Sequence, residues 1–234
     1  MLKDLIKRNK RIYNLFLNFR NYLRIIYNTK TRSRFFWNLK KGDNILSLNY
    51  PLNSNSVVFD VGAYKGNFTE KINSKFKCNI YAFEPIEEYS EYLNKKFLNH
   101  KNVVIFNFGL FDENKEMKLS NIGGSSSVYN RAEGNLINKV KMKSFQNFIQ
   151  ENSIKSIDLL YMNIEGSEYK LLNHIIETGF IENINHLQVQ FHNFVNNSKT
   201  LRNLLRKELK KTHECVFNFP FIWERWDKKS KDKL

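Results

Sequence analysis

Apolar positions along the chain follow two different rhythms. Up to about Lys41, residues Leu2, Leu5, Ile6, Ile12, Tyr13, Phe16, Phe19, Leu23 and Ile26 recur at helical spacing, with Lys3, Lys7, Lys10 and Arg11 mostly off that stripe. This predicts one or two amphipathic helices. From Ser56 short apolar runs alternate with helical stretches. The pattern predicts strand Val57 to Val61, a helix from about Asn67 to Phe76, strand Asn79 to Phe83, helix Glu87 to Leu98 and strand Val103 to Phe108. A polar stretch with Gly123 to Ser127 reads as loop and hairpin. Strand Lys139 to Met142, a short helix from Ser144 and strand Ile157 to Met162 follow. Helix Glu168 to Thr178 stops at Gly179, as a left-handed cap requires. Strand His186 to Phe191, helix Lys199 to Leu209, and a closing hairpin of Glu214 to Phe219 and Phe221 to Arg225 complete the series. Repeated strand-helix units predict an α/β fold, a mostly parallel sheet with helices on both faces. The expected organisation is a basic helical arm over 1–45, a catalytic domain over 46–228 and a frayed tail over 229–234.

Composition adds bounds. At 234 residues, with 41% hydrophobic content and twenty phenylalanines, the chain can bury a substantial core. Cys78 and Cys215 stand far apart without metal-ligand spacing, which argues for neither a disulfide framework nor a zinc site and leaves a reducing, cytoplasmic setting as the expectation. No apolar run is long enough to cross a bilayer, and no secretory leader is recognisable. Of the formal charge of +15, residues Met1 to Lys41 carry +11, twelve lysines and arginines against Asp4, so the remaining 193 residues hold only +4. Basicity therefore belongs to the arm, which makes a nucleic-acid substrate for the body an unfavoured reading. The arm itself reads as a peripheral anchor on an acidic membrane surface, as a docking helix for a partner protein, or as a helix packed across its own domain.

The candidate chemistry starts where the first strand ends. In Phe59-Asp60-Val61-Gly62-Ala63-Tyr64-Lys65-Gly66, Gly62 permits a sharp turn and close approach of backbone to ligand, and Gly66 opens the next helix. Asp60 can orient water or an ammonium group. Glu84 ends the second strand, where a carboxylate accepts hydrogen bonds from both hydroxyls of a ribose. A dinucleotide site requires Gly-x-Gly-x-x-Gly, yet here Tyr64 occupies the region a pyrophosphate would need, and the Walker-type Gly-Lys-Ser/Thr is missing. An adenosine without phosphate fits best, which points to S-adenosylmethionine.

With these segments, the chain resembles the FkbM family of S-adenosylmethionine-dependent methyltransferases. Besides the glycine turn, the resemblance rests on Ala82-Phe83-Glu84-Pro85, on Asp158 to Glu168 with its Glu165-Gly166-Ser167-Glu168, and on Leu187 to Asn193. It spans about Ser56 to Asn193, with Trp223-Glu224-Arg225-Trp226 similar to some members. It implies a class I, Rossmann-like, seven-stranded sheet, with Asp60, Gly62, Gly66 and Glu84 around the cofactor and Asn107 to Leu110 near the adenine. Ala63, Pro85, Asn107 and Gly109 complete the candidate cofactor contacts. Members usually methylate hydroxyls of sugars or of polyketides and other natural products. Many read Lys-Ile-Asp before the Glu-Gly pair, where this chain has Tyr161-Met162-Asn163.

Transfer of a methyl group to a hydroxyl needs alignment of the acceptor and removal of its proton. Asn163 and Glu165 near the end of one strand and His192 at the end of the next can converge. The expectation is His192 as proton acceptor, oriented by Glu165, with Asn163 positioning acceptor or cofactor, and Glu168 charging the start of the following helix. No metal is expected. The preferred activity is O-methylation of a sugar in a surface glycan or related natural product; the competing readings are a nucleic-acid methyltransferase and a catalytically inactive scaffold.

Overall fold

The computed structural model describes residues 10–120 and 137–230. The Gly-rich stretch Gly123 to Ser127, residues 1–9 of the arm and residues 231–234 of the tail lie outside the described residues.

Two helices, α1 (Lys10–Tyr27) and α2 (Thr29–Leu39), precede the body. They meet at Asn28, whose side chain accepts a hydrogen bond from the Thr31 amide (2.9 Å) and so caps α2. Then follow β1 (Val57–Val61), α3 (Asn67–Phe76), β2 (Asn79–Phe83), α4 (Glu87–Lys96) and β3 (Val103–Phe106). Three short strands come next, β4 (Gly109–Phe111), β5 (Lys115–Ser120) and β6 (Ile137–Ser144), and then α5 (Phe145–Glu151). The remainder is β7 (Ile157–Met162), α6 (Glu168–Glu177), β8 (Ile184–Val189), α7 (Ser198–Thr212), β9 (His213–Phe219) and β10 (Trp223–Lys228).

Seven strands form the main sheet in the order β3-β2-β1-β7-β8-β10-β9. Pairings from β3 through β8 are parallel, and β10 runs antiparallel to both β8 and β9. The order runs outward in opposite directions from β1 and β7, so the switch point at which α/β sheets bind ligands lies beyond Val61 and Met162. Alternation along β1 divides the core. Phe59 and Val61 face a large apolar layer with α5, α6 and α7, whereas Val58 faces a second layer containing Ile72 and Leu93 of α3 and α4.

The predicted strand Val103 to Phe108 divides in two. Its partner β2 stops at Phe83, the Glu84 amide makes a last bond to the Phe106 carbonyl (3.0 Å), and Pro85 has no N–H to extend the ladder. Past this point Gly109 to Phe111 pairs instead with β6, which also pairs antiparallel with β5, giving a separate three-stranded sheet beside the crevice. α6 ends as anticipated at Gly179, with φ +75°.

α2 is not a free appendage. Ser33 and Trp37, one turn apart, are buried, and Trp37 packs with Ile222 and Trp223 while its indole N–H donates to Asp43 (3.0 Å). Phe217 and Phe219 lie edgewise or tilted against it at 5.6 and 5.3 Å. Because β9 runs parallel to β8, these rings mark the same carboxyl edge of the sheet as the switch point.

Candidate functional site

A crevice opens at that switch point, with walls from four directions. Gly62 and Tyr64 follow β1, Glu84 and Pro85 follow β2, Tyr89 comes from α4, and Asn163, Ile164 and Glu165 follow β7. Gly109, Leu110, Leu119 and Met142 of the small sheet supply an apolar side. The site is thus half apolar and half acceptor-rich, as a cleft for a nucleoside requires.

Close backbone approach explains the turn after β1. A Cβ on Gly62, whose φ is +92°, would lie 2.2 Å from the Asn163 carbonyl oxygen. No other residue fits. Asn163 donates its amide to the Val61 carbonyl (3.0 Å), which ties the two loops together. Tyr64 then adopts φ +50°, placing its ring edge-on to Tyr89 at 4.6 Å.

Glu84 is the anchor of the polar side. One carboxylate oxygen accepts from the Tyr64 amide and the other from the Ile86 amide, both at 2.9 Å. Two amides leave lone pairs on each oxygen for a ligand. Burial raises its pKa to about 7, against the lowering effect of those amides.

Four of the expected cofactor contacts lie outside the walls of this crevice. Asp60 points, like Val58, toward the α3 side, where its carboxylate accepts from the Thr69 hydroxyl (2.5 Å), and burial raises its pKa to about 6. It supports the turn from behind, and its Oδ1 has no partner among the described residues. Ala63 packs into the second apolar layer. Gly66 starts α3 with φ +70°, and a Cβ there would meet Leu93 and Phe97 at 2.7 Å, so its smallness serves helix packing. Asn107 is exposed and outside the crevice walls, whereas its neighbour Gly109 is buried against Met142, as a Cβ at 2.6 Å from Met142 Cε would attest. Gly62, Glu84, Pro85, Gly109, Asn163 and Glu165 are the sequence candidates that the crevice brings together.

On the acceptor side, Asn163 Oδ1 is buried without a hydrogen-bond partner among the described residues. Glu165 lines the crevice from a left-handed position, φ +48°. Behind it His192 is buried between two carboxylates: Nε2 lies 3.3 Å from Glu165 Oε2, and Nδ1 lies 3.2 Å from Glu168 Oε1. Burial alone pulls the imidazole pKa down, but the hydrogen bonds and charges of Glu165 and Glu168 outweigh it and raise it to about 9. The ring is therefore an imidazolium at neutral pH. Glu168 is fully buried and does more than charge a helix start. It accepts the Gly166 and His192 amides, both at 2.7 Å, clamping the loop after β7 to the one after β8. Because the two carboxylates sit on opposite sides of the ring, they do not converge on one point.

Sequence reasoning missed Tyr89, Leu119 and Met142 as wall residues. They come from three separate elements that only the small sheet and α4 bring together, and no local motif marks them.

The fit to an adenosine-bearing donor rests on features of this chain: an apolar slot beside Glu84, a backbone approach no side chain could allow, and an orphaned buried acceptor on Asn163. Two of the solved structures that share the fold illustrate the likeness. One is SMU.1697c of Streptococcus mutans, assigned as a methyltransferase and solved in complex with SAH, with a TM-score of 0.51 at 16% identity over 82% of this chain and 97% of that chain. The other is a protein of Clostridium thermocellum assigned as an rRNA-methylase, with a TM-score of 0.52 at 13% identity over 82% of this chain and 96% of that chain. At such identities the likeness is one of fold. No curated protein matches the chain by sequence. The family model described as the methyltransferase FkbM domain matches residues 60–219, the stretch that holds the glycine turn, Glu84, the clamp around His192 and the first strand of the closing hairpin, and the chain belongs to that family of methyltransferases.

Proposed function

We propose that this S-adenosylmethionine-dependent enzyme methylates a hydroxyl group of a sugar, in a surface glycan or related natural product. The observation that carries the reading is the pair of acceptor-bearing residues beyond β7, Asn163 and Glu165, which both line the crevice. A polyhydroxylated substrate offers donors to both.

A bound methyl donor supplies an electrophilic methyl carbon on a sulfonium. Glu84 would hold the two ribose hydroxyls, and the apolar side of Leu110, Leu119 and Met142 would hold the base. Asn163 aligns the acceptor hydroxyl, and Glu165 receives its proton as the oxygen attacks. His192 serves as a positioning residue in this reading. Already protonated and clamped by Glu168, it holds Glu165 in place from the protein side. The roles expected from sequence for Glu165 and His192 thus exchange, because the histidine is behind the carboxylate and carries its own proton.

Labelled S-adenosylmethionine incubated with fractionated cell-envelope glycans, nucleotide sugars and RNA tests the proposal. Label should enter a glycan or nucleotide-sugar fraction. Glu165→Gln should lose transfer by about 100-fold or more while binding S-adenosylhomocysteine normally. Glu84→Ala should weaken that binding. Label confined to RNA, or undiminished transfer by Glu165→Gln, would refute the reading.

A further inference from the structure

The arm departs from its body in a particular way. α2 uses Ser33 and Trp37 to seat itself on the carboxyl edge of the sheet, while several large apolar side chains of α1 and α2 stay exposed. Exposed there are Phe19, Tyr27, Phe35, Phe36 and Leu39, with Tyr27 81% and Leu39 68% accessible. Phe35 and Phe36 stand edge to face at 5.4 Å and are both about half exposed. Rings presented in this way cost solvation and mark a contact surface.

Between the two helices runs a cleft lined by Arg24, Asn28, Thr31 and Arg34, with Ile25 and Phe35 at its sides. Neither Arg24 nor Arg34 forms an ion pair among the described residues. The surrounding sequence, with +11 on residues 1–41, contains one acid. Guanidinium groups beside a hydroxyl and an amide suit a phosphate oxygen, and exposed rings next to them suit the boundary between headgroups and acyl chains.

We infer that the α1–α2 hairpin is a docking surface for a bilayer containing acidic phospholipids, with Arg24 and Arg34 receiving headgroup phosphates and Tyr27, Phe35 and Phe36 entering the interface. Charge complementarity selects this occupant. The placement adds a second consequence. Lys30, at the start of α2, reaches Asn193 Oδ1 at 3.5 Å, one residue beyond His192. The docked hairpin therefore holds the loop after β8, which carries His192, beside the membrane. The inference stands apart from the choice of acceptor, since membrane binding is read without turnover.

The test is co-sedimentation of the full chain with vesicles of phosphatidylcholine alone and of phosphatidylcholine mixed with phosphatidylglycerol, at low and high salt. The chain should sediment with the acidic vesicles, and salt should release it. Each basic residue near an anionic surface contributes about a fivefold gain, so R24Q/R34Q should partition about thirty-fold more weakly. F35S/F36S should also bind less while keeping its salt dependence. Unchanged affinity for S-adenosylhomocysteine reports that both variants are folded. Equal sedimentation with neutral and acidic vesicles, sedimentation with neither, or wild-type behaviour of R24Q/R34Q overturns the inference. So does retention by RNA in place of vesicles, which would make the hairpin a nucleic-acid arm.

Discussion

Gly62 and His192 show how single residues set the site. An alanine at Gly62 meets a carbonyl oxygen that belongs to a hydrogen-bonded loop and cannot retreat, so Gly62→Ala should destabilise the protein by roughly 3 kcal/mol and abolish donor binding. Gly179 is the internal control. It has a similar left-handed φ with nothing within 4 Å, so Gly179→Ala should cost about 1 kcal/mol in a denaturant titration. His192 sets a pH dependence. Its folded pKa of about 9 exceeds the ordinary 6.5, so the folded state holds the extra proton across that window. The stability it contributes is complete below pH 6.5 and is lost as pH rises through 9. Thermal melts of the wild type across this range should fall more steeply than those of His192→Gln, and parallel curves would contradict the clamp. The glycine turn, Glu84, Asn163 and Glu165 were legible in the sequence because each lies at a strand end, where local grammar predicts position. The protonation of His192 was not, because it depends on Glu168 packing from across two loops.

Among elements, the main sheet was legible nearly strand by strand, since apolar runs bounded by turn residues need no partner to be recognised. The small sheet was not. β4 has only three residues and its pairing with β6 joins residues far apart, so no periodic signal reveals that Gly109 leaves the main sheet. The arm was legible as amphipathic helices, but its seat on the β9–β10 face depends on rings of the closing hairpin. That seat is small. α2 buries only Ser33 and Trp37, and the patch with Ile222 and Trp223 is distinct from the two main apolar layers. Trp37→Ala should therefore detach the arm without unfolding the body. Loss of roughly 3 kcal/mol makes opening about a hundredfold more frequent. Limited proteolysis between α2 and β1 should accelerate accordingly, with S-adenosylhomocysteine affinity kept; simultaneous loss of both would show that arm and body unfold together.

At the scale of the whole molecule, the charge distribution and the sheet order belong to one design. Positive charge is concentrated on the arm, the arm lies along the carboxyl edge, and the crevice opens at the same edge. The order of strands adds a temporal constraint. β9 precedes β10 in the chain yet is separated from β8 by it, so β9 has no place in the sheet until β10 has been inserted between them. Trp37, translated long before either strand, rests on both. During synthesis α2 must wait, unseated, until β9 and β10 have been made. A chain stalled before β10 accordingly lacks Trp223 and Ile222 or leaves them unplaced, and Trp37 has no face to rest on.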